Sequence, residues 1–286
     1  MFKSIPFMYD EELKREIDLR GLSYLTFKNY RSHLRRLSEY VGKDLKEITA
    51  EEAKNYLHHQ KADLRQHPQT INLCRAAFIF FRQSVLGEYT APYTVPRHKF
   101  TYELPDILQR DNIITILDSL SLKYRAILSL CYGSGLRISE ALAVELDDID
   151  SKNMKIFVRN GKGGKARYSI LSSYSLVCLR KYWKSFSPPG PKLFPKRDHP
   201  DEPKPSQYAQ KIFAEAYKTR FPNSSKKITP HTLRHCFGTH MLDSGTDLRT
   251  IQALLGHKSI QTTSKYLQLT DFHFSKLVSP IDRGRA

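Results

Sequence analysis

The chain has 286 residues, enough for one large domain or two ordinary domains with a buried core. Its 46 lysines and arginines outnumber 29 acidic residues and give a formal charge of +17. That charge favours nucleic acid as a partner over a role in solubility alone, and the lack of an apolar run near the roughly 20 residues that cross a bilayer argues against a membrane protein.

The N-terminal third carries three helical patterns. Apolar residues at 27–41 recur at spacings of three and four and predict a helix with one buried face. Thr49 and Glu52 have the spacing of a capping box and predict the start of a second helix. A third helix is predicted at 69–86, with Gly87 as its stop.

A proline-containing stretch follows these helices. Residues 89–105 hold three prolines and no helical periodicity, so they are predicted to be extended. We therefore expect a helical domain at 1–90, an interdomain linker at 91–105 and a second domain at 106–286 that includes a C-terminal tail.

The second domain has a mixed pattern. Residues 154–171 alternate on both sides of a glycine-rich turn and predict a β-hairpin. The Pro- and Lys-rich stretch at 187–205 is predicted to be a solvated loop. The fold class is therefore mainly α with a small antiparallel β-sheet in the second domain. Helices are predicted at about 106–120, 122–132, after Arg137, and at 173–186, 206–219, 230–243, 247–255 and 259–267.

Cysteine usage and the N-terminus bear on compartment. The four cysteines, Cys74, Cys131, Cys178 and Cys236, are scattered without CxxC pairing and predict reduced, mostly buried thiols. The N-terminal stretch lacks the apolar core and cleavage site of a secretory signal. We expect a cytoplasmic protein.

Residues 228–240, ITPHTLRHCFGTH, hold three histidines and raise the question of a metal site. Successive helical residues turn about 100°, so His231 and His235 share one side while His240 points away. Two histidines would need a third ligand, and no HExxH glutamate is present. We therefore expect neither a metal site nor a zinc-dependent hydrolase.

The same segment has the features of an anion site. Thr229 and Pro230 are a favourable helix start. His231 and Arg234 lie near the positive end of that helix, where an anion is stabilised. For His235 the pattern favours a partly buried ring that is hydrogen-bonded to its surroundings.

Four ordered motifs carry a family resemblance. They are YGSGLRISEAL at 132–142, NGKGGK at 160–165, HTLRH at 231–235 and LLGHKSIQTTSKY at 254–266. Together they resemble the tyrosine recombinase (phage-type integrase) family, in its Xer-like two-domain architecture, and the N-terminal helices resemble that family's core-binding domain more loosely. The glycines do not form a P-loop, because GK[ST] is missing and a strand follows.

The resemblance implies a DNA strand-transfer site that forms a 3′-phosphotyrosyl intermediate without metal, ATP or another cofactor. Two guanidiniums suit a phosphorane-like transition state, since each is permanently charged and can fork onto two oxygens. Glu140 is expected to support one of them through a salt bridge. The implied residues are Tyr266 as nucleophile, Arg137 and Arg234 as phosphate clamps, His231 as base, His257 as its assistant, and Lys162 as the acid for the 5′ hydroxyl.

Each of these residues also has a structural explanation. Tyr266 would be one of sixteen tyrosines packing a helix, and Lys162 a solvated hairpin tip. Choosing Lys162 over Lys165 rests on the family motif alone. Three positions depart from the usual family pattern and are expected to affect packing only: Ser134, Ala141 and Gly238.

The implied partner is double-stranded DNA with specific recombination sites, bound by a homo-tetramer that is a monomer or weak dimer when free. A related recombinase or accessory protein is a further partner that this family allows. The apolar tail residues Phe272, Phe274, Leu277 and Val278 would dock either on a neighbouring protomer or on their own domain. The alternatives are a type IB-like topoisomerase and a catalytically inactive DNA-binding regulator.

Overall fold

The computed structural model describes residues 8–88, 95–99, 105–159, 166–196, 199–203, 206–257 and 259–269. The chain divides into two compact units, Met1–Tyr102 and Glu103–Ala286. The fold is mainly α-helical with a small antiparallel sheet in the second unit, as the sequence predicted.

The first unit is a helical bundle of α1 (Asp10–Leu19), α2 (Tyr24–Val41), α3 (Ala50–Ala62) and α4 (Pro68–Phe80). Sequence periodicity did not identify α1. The capping box that opens α3 is present: the Thr49 side chain accepts from the Glu52 backbone N–H at 3.2 Å, and the Glu52 carboxylate accepts from the Thr49 backbone N–H at 2.9 Å. The apolar faces of these helices form one buried core.

The third predicted helix is not continuous. It ends at Phe80 and passes into a π-helical turn, Phe81–Val85, before Gly87 at φ 68°. The π turn keeps the large Phe81 side chain fully buried within the core. From the predicted linker, Val95 is also buried in this core, and Asn72 forms two hydrogen bonds with the His98 backbone.

The second unit is built around α6 (Leu122–Gly133), whose residues 126–131 are all buried. α6 packs against α8 (Ser173–Phe186) and α10 (Pro230–Asp243). All four cysteines of the chain are buried and unpaired with one another, as predicted. The remaining helices are α5 (Arg110–Ser119), α7 (Ile138–Leu142), α9 (Ser206–Arg220), α11 (Leu248–Leu255) and α12 (Ile260–Ser264), with 3₁₀ turns at Leu146–Asp148 and Lys265–Leu269.

The predicted β-hairpin is present as β2 (Lys155–Val158) and β3 (Arg167–Ile170), paired antiparallel from Val158 opposite Arg167 to Lys155 opposite Ile170. A short strand that the sequence did not reveal, β1 (Ile149–Asp150), pairs with β2 and gives the sheet order β1-β2-β3.

The solvated-loop prediction for 187–205 is wrong in part. Leu193 and Phe194 are 1% and 0% exposed, and the Leu193 backbone N–H donates to the carbonyl of Val144. Two short strands follow, β4 (Pro195–Lys196) and β5 (His199–Pro203). Two apolar residues between prolines carry no period, so only their burial shows that this segment covers the core.

Candidate active site

The Arg137 side of the site starts with a sharp turn between α6 and α7. Gly135 adopts φ 64°, which lets the chain reverse and place Arg137 as the residue before α7. The Arg137 backbone N–H and its Nη1 donate to the two oxygens of Glu140, at 2.9 and 2.6 Å. The salt bridge expected between Arg137 and Glu140 is therefore present, and it holds a guanidinium that is 21% exposed.

Arg234, on α10, is 1% exposed. Its Nη1 donates to the Gly135 carbonyl at 2.6 Å, its Nη2 donates to the Leu255 carbonyl, and Nη1 lies 3.7 Å from Glu140 Oε2. The Nε–H has no hydrogen-bond partner among the residues that the structure describes. Burial lowers the pKa of Arg234 to about 10, and the nearby Arg137 adds to that effect, yet the group stays charged at neutral pH.

A third arginine, Arg167, was missed by sequence reasoning. It begins β3, and its Nη1 and Nη2 donate to the two oxygens of Glu140 at 3.1 and 2.8 Å. Its Nε donates to the Leu254 carbonyl at 2.8 Å. The sequence signal that could have found it is an arginine just after the glycine-rich stretch, at the start of the second predicted strand.

Glu140 is the carboxylate that these arginines share, and it is 7% exposed. Burial alone would raise its pKa. Hydrogen bonds from Arg167 and the Arg137 backbone, together with the charges of both arginines, overcome that effect and lower the pKa to about 2. Glu140 is thus ionised at neutral pH. Three guanidiniums facing one carboxylate leave a local excess of positive charge, which suits an anionic ligand.

Tyr266 lies in the 3₁₀ turn after α12 and is 2% exposed. Its hydroxyl lies 3.3 Å from His235 Nδ1. Burial raises the pKa of Tyr266 to about 12, although the charges of Arg234 and Arg137 act in the opposite direction. The phenol and both arginines are therefore within electrostatic reach of one another, and the hydroxyl is a poor nucleophile until an anion site or base activates it.

Two histidine rings lie next to the phenol, and a third is joined to it through one of them. His231, at the exposed start of α10, makes an edge contact with His235 at 4.4 Å between ring centroids. The His257 ring stacks near Tyr266 at 6.4 Å, and its Nδ1 lies 3.0 Å from the Thr263 hydroxyl. Burial, helped by neighbouring positive charges, lowers the pKa of His235 to about 4 and that of His257 to about 3. Both rings are neutral at pH 7.

The structure thus brings Arg137, Arg234, His257 and Tyr266 into one region, with His231 joined to it through His235. The hydrogen bond between His235 and the phenol was not predicted, although a partly buried, hydrogen-bonded His235 was. His240 is directed elsewhere, since its Nδ1 lies 2.9 Å from the Tyr132 hydroxyl. Lys162 and the alternative Lys165 lie outside the described residues, as do the four apolar tail residues.

Within the described segments, no three His, Cys, Asp or Glu side chains are grouped as a metal site. Over the same segments, no helix has the length and apolar character needed to cross a bilayer.

Comparison with known families covers most of the chain. Residues 102–273 match the phage integrase family. Residues 10–91 match the N-terminal SAM-like domain of phage integrases. The two matches correspond to the two compact units in order.

Individual relatives span both units. The chain is 31% identical over 272 residues to tyrosine recombinase XerA of Thermococcus kodakarensis, covering 93% of this chain and 92% of the relative. It is 33% identical over 255 residues to tyrosine recombinase XerD of Caulobacter vibrioides, covering 83% and 82%. The solved Tn1549 transposon integrase shares the fold, with a TM-score of 0.72 at 18% identity over 98% of this chain and 100% of that one.

Proposed function

Because the chain belongs to the phage integrase family of tyrosine recombinases, we propose how its own residues cleave and rejoin DNA strands. The protein is a site-specific recombinase, a DNA breaking and rejoining enzyme whose partner is double-stranded DNA. One observation carries the assignment of residues: Arg137 and Arg234 share the buried Glu140 and act electrostatically on the phenol of Tyr266.

The two arginines bind the scissile phosphodiester. Arg137 is held by Glu140 yet 21% exposed, so part of its guanidinium faces solvent and can fork onto phosphate oxygens. Arg234 is buried, and its Nε–H, which has no partner within the described segments, is the donor left for a phosphate oxygen. The attraction of both guanidiniums for the phosphate becomes stronger as the phosphate gains negative charge in the transition state.

Tyr266 is the nucleophile. Its oxygen attacks phosphorus, the bond to the 5′ oxygen breaks, and the DNA 3′ end becomes a phosphotyrosine. The phenol proton must leave to a base, which the family resemblance implies is His231. His231 contacts the His235 ring, whose Nδ1 lies 3.3 Å from the phenol oxygen and orients the hydroxyl. The His257 ring stacks near the phenol, and as a neutral ring it can donate to the phosphate.

Lys162 protonates the departing 5′ hydroxyl in this proposal, since a hydroxyl is a poor leaving group without a proton. The arginine cluster supplies the positive charge that a metal ion would otherwise provide, and the phosphotyrosine retains the bond energy for rejoining. Neither a metal, nor ATP, nor another cofactor is therefore required. Strand exchange between two duplexes calls for a homo-tetramer on DNA, in the cytoplasm.

The test begins with selection of bound duplexes from a randomised library, from which a nicked half-site is built. Incubation with this half-site in EDTA should give a covalent protein–DNA band. Tyr266→Phe should abolish the band while half-site binding persists, because only the nucleophilic oxygen is lost. A band that persists with Tyr266→Phe would assign the nucleophile elsewhere, and a band that requires a divalent metal would contradict the cofactor-free mechanism.

A further inference from the structure

We propose that Arg167 is a positioning residue of the strand-transfer site. Arg167 binds Glu140, which in turn holds Arg137. It also binds the end of α11, the helix that leads into His257. The inference rests on the proposed function, since it concerns how the same site is kept in its working geometry. Arg167 lies in the strand that follows the glycine-rich turn, so it also joins the hairpin to the arginine cluster.

The first support is that Arg167 spends all three nitrogens on the protein. Nη1 and Nη2 fork onto Glu140, and Nε donates to the Leu254 carbonyl. The side chain is 9% exposed. Because all three nitrogens already donate within the protein and the side chain is largely buried, Arg167 is less accessible to a DNA phosphate than the partly exposed Arg137.

The second support is the end of α11. The last carbonyls of a helix lack partners within the helix. Here two successive carbonyls are each bound by an arginine: Leu254 by Arg167 and Leu255 by Arg234. His257 follows two residues later, so the position of its ring depends on the helix end that Arg167 and Arg234 hold.

The third support is Gly256, which lies between that helix end and His257. Its φ of 64° favours glycine, and a Cβ placed there would lie 2.9 Å from Cδ of Arg167. The side chain of Arg167 therefore crosses directly over Gly256. The glycine of the LLGH motif serves both the turn and the passage of this arginine.

A lysine could not replace this arrangement. A single ammonium has no planar fork for the two oxygens of Glu140 and cannot at the same time reach the Leu254 carbonyl as Nε does. Glu140 would keep its two hydrogen bonds with Arg137 but lose the second pair that Arg167 now supplies. Because strand transfer needs Arg137 and His257 in fixed positions on one phosphate, a displacement of about 1 Å lowers the rate on the order of 100-fold.

The experiment compares Arg167→Gln, Arg167→Lys and the control Arg159→Lys. Arg159 lies in the same hairpin and forms a 2.6 Å ion pair with Asp148, but no hydrogen bond joins it to Glu140. Measured quantities are the rate constant of covalent-complex formation at saturating half-site, the half-site Kd, and Tm. We expect Arg167→Gln and Arg167→Lys to lower the rate constant about 10- to 100-fold with Kd changed less than about threefold, and Arg159→Lys to leave both unchanged.

A double-mutant cycle tests the geometry independently of folding. Gly256→Ala should lower the rate constant alone, and should lower it by a smaller factor in an Arg167→Ala background, because the clash with Cδ of Arg167 has gone while the cost of the left-handed φ remains. Additive effects would overturn the inference, as would a wild-type rate constant in Arg167→Gln or full rescue by Arg167→Lys. If the wild-type chain formed no covalent complex, the proposed function would fail first, so the two failures are distinguishable.

Discussion

Gly238 lies directly beneath the ring of Tyr266. A Cβ at this position of α10 would lie 2.7 Å from both Cε2 and Cζ of the phenol ring. Alanine is usual at this point in the family pattern, and the sequence suggested only an effect on packing. In this chain the missing methyl group is what allows the phenol to occupy its buried position next to His235.

Gly238→Ala is therefore expected to displace Tyr266 and to destabilise the protein by about 1–3 kcal/mol, the usual cost of inserting a methyl group into a packed site. Urea unfolding measures the loss. The matched control is the same substitution in a Tyr266→Ala background, where Gly238→Ala should stabilise by up to about 1 kcal/mol through helix propensity. Equal effects in both backgrounds would show that Gly238 and Tyr266 do not interact.

The two arginines proposed to clamp the phosphate should differ in how much their loss destabilises the fold. Arg234→Ala removes a buried cation next to Glu140 and leaves the Gly135 and Leu255 carbonyls without their donor, so we expect a loss of about 3 kcal/mol or more. Arg137→Ala, at a partly exposed side chain, should cost about 1 kcal/mol or less. Both should abolish the covalent band. Comparable losses of stability in urea would contradict this division.

Folding stability should decrease in mild acid. In the unfolded chain a histidine titrates near pH 6.5, whereas His235 and His257 titrate at about 4 and 3 in the folded site. Above pH 6.5 both rings are neutral in either state and have no effect. As the pH falls from about 6.5 towards 4, the unfolded chain takes up protons that the folded site does not, so stability is progressively lost.

The measurement is Tm between pH 7.5 and 4.5 for the wild type and for a His235→Gln, His257→Gln double variant. The pKa of His33 and of His240 is also lowered by burial, so only the difference between the two proteins reports on the site. That difference should grow as the pH falls. Parallel curves would mean that the two rings are not held neutral.

Lys162 can be tested apart from Lys165 through the leaving group. The Lys162→Ala variant should not cleave an ordinary half-site. It should still cleave a half-site with a sulfur at the 5′-bridging position, because a thiolate leaves without a proton. Lys165→Ala, the matched control, should cleave both substrates at nearly the wild-type rate. If the sulfur substrate restored cleavage only to the Lys165→Ala variant, Lys165 and not Lys162 would be the general acid. Failure of both lysine variants on the sulfur substrate would remove the general-acid role from the turn.

Regular elements were the part of the fold that the sequence could predict. The bounds of α8 and α10 match the predicted 173–186 and 230–243, because apolar periodicity and favourable first residues define them locally. The burial of Leu193 and Phe194 was not predictable, since it depends on residues distant in the chain. The same holds for the π turn after Phe80, where tertiary packing decides which hydrogen bonds form.

Within the site, residue types and order suggested which side chains to propose for the chemistry, while their mutual contacts needed the fold. Helical geometry predicted an anion-facing side for His231 and Arg234 and correctly directed His240 away from them. It could not show that Arg167 binds the same carboxylate as Arg137, because that contact joins a strand to a helix start across 27 positions. Nor could it show that the Tyr266 hydroxyl lies within hydrogen-bond distance of His235.

The two supports of Arg234 lie far apart in the chain. Its guanidinium is held by the carbonyls of Gly135 and Leu255, which are made early and late in the synthesis of the second unit. A chain still emerging from the ribosome lacks the second support until Leu255 has been made, and it lacks Tyr266 as well. In the proposed mechanism, strand breakage therefore requires the second unit to be synthesised through Tyr266.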